Sequence, residues 1–141
     1  MIRVSNLRKS YHVDHGDVQE VRAVAGISFE VPTGSFFSLL GPSGCGKSTT
    51  LRCVAGLERP ESGEIVVGDQ VVFSSEQGIF VPPNKRDVGM VYQSYAIWPH
   101  MNVFDNVAFP LQVKWKRLPG GQIKDKVREV LRMVGLEGFE D

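Results

Sequence analysis

Apolar and polar positions alternate over residues 2–7, the two-residue period of a strand with one buried face. Arg8-Lys9-Ser10-Tyr11-His12 leads out of that strand into Val13-Asp14-His15-Gly16-Asp17, which reads as a polar turn. Residues 21–24 and Ile27-Ser28-Phe29-Glu30-Val31 form further strand patterns, and Pro32-Thr33-Gly34 marks a turn. Phe36-Phe37-Ser38-Leu39-Leu40 is an apolar run long enough for a buried strand. Residues 49–57 hold no proline and read as a helix, followed by the loop Glu58-Arg59-Pro60-Glu61-Ser62-Gly63. Glu64-Ile65-Val66-Val67 and Val71-Val72-Phe73 then flank Gly68-Asp69 as a hairpin.

The second half is more broken. Residues 74–86 read as a polar loop containing Pro82-Pro83, and Val88-Gly89-Met90-Val91-Tyr92 as a strand ending at Gln93. Asn102 can cap a helix from Val103, with Asp105 in its first turn where the helix dipole favours negative charge. Pro110 should end or kink that helix, and Leu118-Pro119-Gly120-Gly121 breaks the chain again. Ile123, Val127, Val130, Leu131 and Val134 recur at helical spacing, and Gly135 stands where a C-terminal cap belongs.

Chemistry concentrates between the apolar run and the first helix. Gly41-Pro42-Ser43-Gly44-Cys45-Gly46-Lys47-Ser48-Thr49 fits G-x-x-x-x-G-K-[ST], a loop whose backbone N–H groups cradle nucleotide phosphates. Gly41, Gly44 and Gly46 let the main chain approach phosphate oxygens closely. The N–H groups form an anion-binding concavity, to which the helix N-terminus adds partial positive charge. Lys47 would reach the β- and γ-phosphates as a compact charge, and Ser48 would place its hydroxyl on Mg²⁺, a hard ion that prefers oxygen. A glycine-rich turn that binds nothing is the plainer alternative; the strand and helix patterns on either side favour the phosphate loop. The Asp69 that follows Ile65-Val66-Val67-Gly68 reads as a turn residue and not a metal ligand, because glycine interrupts the run and a second strand follows at once.

Composition narrows the classes. The 141 residues suit one compact domain. Sixteen basic and sixteen acidic residues cancel, so no electrostatic footprint for nucleic acid is present. No apolar run approaches the ~20 residues of a membrane span, and the N-terminus lacks a signal-peptide core; any membrane role is expected to go through a partner. Cys45 and Cys53 would stand roughly 12 Å apart along a helix at 1.5 Å per residue, beyond disulfide reach. A reducing, cytoplasmic setting is the expectation.

Several motifs together carry a family likeness. The phosphate loop continuing to Thr50-Leu51, then Ala55-Gly56-Leu57 and Pro60-Glu61-Ser62-Gly63, resembles the nucleotide-binding subunits of ABC transporters. Residues 88–101, through Gln93-Ser94-Tyr95-Ala96-Ile97-Trp98-Pro99, followed by Val103-Phe104-Asp105-Asn106-Val107, look like the Q-loop region of that family. The wording is closest to importers of iron(III), polyamines, sulfate or molybdate. The likeness implies an α/β fold, a P-loop NTPase core with an antiparallel β subdomain. It makes residues 1–141 the N-terminal portion of a single ATP-binding domain, with the phosphate loop at 41–49 and the Q-loop region at 92–104. It implies ATP and Mg²⁺ as cofactors, held by Gly41, Pro42, Ser43, Gly44, Cys45, Gly46, Lys47, Ser48 and Thr49. Tyr11 resembles the aromatic that stacks on adenine. Gln93 resembles the glutamine that touches Mg²⁺ and the attacking water, which with Lys47 makes up the implied catalytic pair. Residues 93–104 would face a membrane permease, placing the subunit on the cytoplasmic face of the membrane, paired with a second ATP-binding subunit.

The match departs from the family in one respect. The signature Leu-Ser-Gly-Gly-Gln, a Walker B aspartate, the catalytic glutamate and a switch histidine do not occur in the sequence. The chain thus reads as truncated before the signature motif and Walker B strand, with hydrolysis a property of a longer parent. Two other readings stay open at this point: a different P-loop protein such as a small-molecule kinase, and a non-catalytic remnant that binds nucleotide. ABC ATPases of DNA maintenance are disfavoured by the neutral charge and the lack of coiled-coil heptads. The transported substrate is not legible.

Overall fold

A computed structural model describes residues 1–14, 18–94, 97–113 and 119–139. The chain divides into two compact units, Met1–Val91 and Tyr92–Asp141.

The first unit is built on a long antiparallel hairpin. Strand β1 spans Ile2–Asp14 and β2 spans Val18–Val31, paired from Ile2 opposite Val31 to Asp14 opposite Val18. The expected exit from β1 after Leu7 does not occur. The alternation is broken there by register shifts between Val4 and Ser10, with Asn6 at φ 47, and the strand resumes beyond them. The same irregularities merge the two strands expected at 21–24 and 27–31 into one. Residues 15–17 of the expected polar turn lie outside the described residues.

Helix α1 (Lys47–Ala55) follows, then β3 (Ser62–Val67), β4 (Gln70–Ser74) and β5 (Ile79–Phe80). The sheet order is β2-β1-β3-β4-β5, antiparallel throughout. The β3–β4 hairpin turns at Gly68-Asp69, so Asp69 is the turn residue expected. β5 was hidden in the polar loop, since two residues are too few for a period. The Val81 N–H extends that pairing to the Val72 carbonyl at 2.9 Å, and a 3₁₀ turn at Pro83–Lys85 closes it. One face of the sheet carries the core: Val4, Leu7, Val24, Ile65, Val72 and Phe73, onto which α1 lays Cys53 and Val54. α1 stops at Gly56 (φ 81), where the Gly56 and Leu57 N–H groups return to the Cys53 and Arg52 carbonyls in a Schellman turn.

The apolar runs at 36–40 and 88–92 are not strands. Their sequence has strand character, but a strand requires a neighbour, and none pairs with them among the described residues. Phe37 stacks on Phe29 with ring centroids 5.0 Å apart, whereas Phe36 and Leu40 are 95% and 99% exposed.

The second unit is a helix pair. α2 (Val103–Val113) starts as expected: the Asp105 N–H donates to Asn102 Oδ1 at 2.7 Å, and Asp105 lies in the first turn. Pro110 does not end it. Proline removes one N–H, the bond to the Asn106 carbonyl, and the helix runs three residues further. α3 (Gly120–Met133) begins at the glycines that were expected to break the chain; of that break, Leu118 lies outside the described residues. Ala108 meets Val127 and Leu131 in the core, with Ile123 beside them, while Val130 and Val134 turn outward. Gly135 (φ 73) caps α3 as its spacing predicts, with Leu136 N–H on the Leu131 carbonyl at 2.8 Å.

Candidate functional site

The loop at 41–49 leads directly into α1, which begins at Lys47. Gly46 is the N-cap, at φ 91, and no side chain caps the helix. The first turn has no acidic residue either. An α-helix leaves its first N–H groups without intrahelical acceptors. Here they are offered to whatever anion arrives, with the positive end of the helix dipole behind them. Thr50 closes the turn from beneath: its N–H and its Oγ1 both donate to the Gly46 carbonyl, at 2.8 and 2.9 Å.

Gly46 is demanded by packing as well as by φ. A Cβ on it would stand 2.1 Å from the Ala23 carbonyl oxygen of β2. The N-terminus of α1 is therefore pressed against the backbone of the antiparallel hairpin. Beside this contact lies a cavity of about 390 Å³, lined by Ala23, Val24, Leu39, Gly44, Gly46 and Lys47 among others.

Lys47 folds back over its own loop. Its Nζ donates to the Gly41 and Pro42 carbonyls at 2.8 and 2.7 Å and lies 3.5 Å from Cys45 Sγ. The ammonium is thus held by neutral acceptors that a phosphate would outcompete, since charged hydrogen bonds are roughly twice as strong as neutral ones. Ser48 follows, exposed, with Thr49 half-buried behind it. Ser43 and Gly44 are exposed on the loop. The donor set suits a hard cation only in combination with phosphate oxygens: one hydroxyl at Ser48, and no group of three or more His, Cys, Asp or Glu among the described residues.

Tyr11 stands on β1 opposite Val21, two residues along β2 from the Ala23 that touches Gly46. Its ring is half-buried, and Lys9 Nζ lies 5.0 Å from the ring centroid. Gln93 belongs to the second unit and is exposed. In the segment that follows, Tyr95 lies outside the described residues. Trp98 packs against Phe109 and His100, with ring centroids 5.8 and 6.0 Å away. Asn106 pins the segment to α2: its Oδ1 accepts from the Trp98 N–H at 2.8 Å, and its Nδ2 donates to the Met101 carbonyl at 3.0 Å. Neither cysteine is in a disulfide; Cys45 is exposed on the loop, while burial pushes the Cys53 thiol up to about 11.

Sequence reasoning missed Arg86. It is 6% exposed and donates to four main-chain carbonyls, those of Val81, Cys53, Val54 and Val72, at 2.8, 2.8, 2.8 and 3.3 Å. Nothing in a polar, proline-containing stretch marks an arginine as buried. The one signal was Gly56, where a Cβ would meet Arg86 Nε at 2.6 Å.

Known proteins fit this geometry. Residues 24–141 match the family model described as ABC transporter. The chain is 56% identical over 117 residues to the trehalose/maltose import ATP-binding protein MalK of Thermococcus litoralis, covering 83% of this chain and 31% of that protein. It is 42% identical over 141 residues to the spermidine/putrescine import ATP-binding protein PotA of Spiroplasma citri, covering 100% of this chain and 36% of that protein. The chain therefore spans about a third of the length of these relatives. Among solved structures, it superposes on a dimeric bacterial ABC transporter cassette, MJ0796, with a TM-score of 0.83 at 26% identity, covering 100% of this chain and 60% of that one. A post-hydrolysis dimer of the same cassette, bound to ADP and Pi, gives 0.81 at 25% identity, covering 99% and 60%. By its sequence and by its fold, this chain belongs to the ABC transporter family.

Proposed function

We propose that the chain is the nucleotide-binding portion of an importer's ATP-binding subunit, and that residues 1–141 form the N-terminal part of one ATP-binding domain. The observation that carries this is the start of α1: uncapped, free of acidic residues in its first turn, and opening on Lys47, whose ammonium is held by neutral acceptors of its own loop. Lys47 exchanges the Gly41 and Pro42 carbonyls for the β- and γ-phosphates of ATP. The N–H groups of the 41–49 loop take the remaining phosphate oxygens, and Tyr11 stacks on adenine with the ring face that Lys9 leaves free. Ser48 would hold Mg²⁺ together with phosphate oxygens, while the catalytic part expected of Gln93 belongs to the whole subunit. Bound there, Mg²⁺ neutralises charge on the transferring phosphate.

The relatives named as importers support a place beside a permease, with residues 93–104 as the face presented to it. The dimeric cassettes support a second ATP-binding subunit. No described helix is long and apolar enough to cross a membrane, so attachment to the cytoplasmic face would run through the permease. Coupled hydrolysis and import belong to the whole subunit.

Lys47→Ala tests the reading. A charged hydrogen bond is worth ~1.5–3 kcal/mol, so ATP affinity measured by calorimetry should fall at least about tenfold while the fold persists. Unchanged ATP binding would refute the phosphate-loop assignment.

A further inference from the structure

Among the described residues, Arg86 is the charged side chain that the fold buries, and its partners come from three places. Two are the Cys53 and Val54 carbonyls in the last turn of α1, both at 2.8 Å. A third is the Val72 carbonyl of β4 at 3.3 Å, and the fourth the Val81 carbonyl just past β5 at 2.8 Å. The guanidinium also lies 5.4 Å from the centre of the Phe80 ring. A helix leaves its last carbonyls without intrahelical donors, and a cation there complements the negative end of the dipole. Arg86 supplies both to the helix whose other end is the phosphate site. The chain leaving α1 is tied separately to β1, through the Glu61 N–H on the Arg8 carbonyl and Glu61 Oε1 on the Ser10 N–H. Arg86 is what reaches back into α1 itself.

We infer that Arg86 is a positioning residue for the phosphate loop, setting the axis of α1 and with it the aim of the first-turn N–H groups and Lys47; this rests on the phosphate-binding function proposed above. α1 has nine residues, a rod of roughly 13 Å at 1.5 Å per residue. Its front end is pressed on the Ala23 carbonyl at Gly46, and its rear end is held by Arg86. Two fixed points define an axis. If the rear carbonyls were released to seek water, a shift of ~2–3 Å would swing the rod by about 10° about the Gly46 contact. That reaches the ~10–20° within which a preorganised site keeps its geometry. The guanidinium is suited to the task because its planar fork addresses several carbonyls at once. A lysine ammonium at the same place, a point charge with three donors, cannot serve four. Gly56 is part of the device, since a side chain there would occupy the space that the Nε and Cζ atoms need.

The test compares the wild-type chain with Arg86→Lys, Arg86→Met and Lys47→Ala. The probes are ATP and tripolyphosphate, the latter carrying no base or ribose. Arg86→Lys is expected to unfold cooperatively and to bind both probes about three- to tenfold more weakly. The amide resonances of Gly46, Lys47 and Ser48 should already be displaced before any ligand is added, a change that a merely stabilising role would not produce. A folded Arg86→Lys or Arg86→Met chain with wild-type affinity and unmoved loop amides overturns the inference. Should both Arg86 variants fail to fold, the wild type decides through its Arg86 Nε–H resonance, sheltered by the bond to Val81. It should move as tripolyphosphate saturates the loop, by the reciprocity that any coupling obeys, and a stationary signal overturns the inference. The two levels separate cleanly. Wild-type binding that is lost in Lys47→Ala but intact in Arg86→Lys sinks the Arg86 inference alone. A wild-type chain indifferent to both probes sinks the phosphate-binding reading and this inference with it.

Discussion

Two left-handed glycines of the 41–49 loop differ in the motif, which fixes Gly46 and leaves Gly44 at a free position, and they differ in the structure as well. Gly44 (φ 81) and Gly46 (φ 91) both hold the left-handed conformation, which costs a residue with a Cβ ~1–2 kcal/mol. Alanine also restricts the unfolded chain, which offsets ~0.4–1 kcal/mol of that. Gly44→Ala meets nothing within 4 Å, so its net cost should be roughly 0–1.6 kcal/mol. Gly46→Ala would bring its Cβ to 2.1 Å from the Ala23 carbonyl oxygen, a main-chain atom that cannot rotate aside. Either α1 or β2 must move by about 1 Å, a forced repacking of the kind that costs ~1–3 kcal/mol. Gly46→Ala should therefore be less stable than Gly44→Ala by at least about 1 kcal/mol. The assay is urea unfolding of both variants, comparing midpoints at matched slopes. ATP binding should follow the same order, because the movement displaces the N–H groups that meet phosphate. Equal midpoints for the two variants would refute the argument that the loop is seated on β2.

Three further outcomes are expected. Tyr11→Ala should weaken ATP and GTP alike, since stacking at ~1–3 kcal/mol per base reads a π-face, while Tyr11→Trp should bind at least as well; equal affinities in all three proteins would place the base elsewhere. Burial raises the Cys53 thiol from 9.0 to about 11, so its contribution to stability is complete below pH 9 and is lost as pH climbs towards 11, where only the unfolded thiol is ionised. The difference in urea midpoint between wild type and Cys53→Ala should narrow across that window, and a constant difference would contradict it. The bare side of the 36–40 segment, with Phe36 and Leu40 almost fully exposed, should make the 141-residue chain bind a hydrophobic dye and self-associate. Replacing both residues with lysine should suppress this, and unchanged association in that variant would clear the segment of responsibility.

Local signals were legible in the sequence, and non-local ones were not. The helix that starts out of the 41–49 loop, the β3–β4 hairpin with Asp69 at its turn, the Asn102 cap and the Gly135 cap are each settled within a few residues, and the structure holds each of them. The strands expected at 36–40 and 88–92 required partners that a residue pattern cannot supply. β1 ran on through Tyr11 because cross-strand pairing with β2 outweighed a locally polar stretch. Pro110 was read by its local penalty, which the helix absorbs. Around the loop, the left-handed Gly44 and Gly46 and the helix start beside them could be read from the motif. Arg86 could not, because its four acceptors lie up to 33 residues away in the chain.

The position of Arg86 changes what the antiparallel sheet is for. The motif-level view makes a phosphate loop the product of the run before it and the helix after it. Here the run at 36–40 has no paired neighbour among the described residues, yet the loop and the start of α1 are formed. What locates the helix is the sheet on its flank. β2 meets Gly46 at one end through the Ala23 carbonyl, β4 and the chain after β5 meet Cys53 and Val54 at the other through Arg86, and the Val24–Ile65–Phe73 core fills the span between. Each contact is made to main chain or to a buried side chain, so none adjusts freely. A sheet that carries Tyr11 and also both fixed ends of α1 would tie the proposed base stacking to the proposed phosphate binding through one body. Changes far from the loop in sequence, at Ala23, Gly56 or Arg86, should then register in phosphate affinity before they register in recognition of the base.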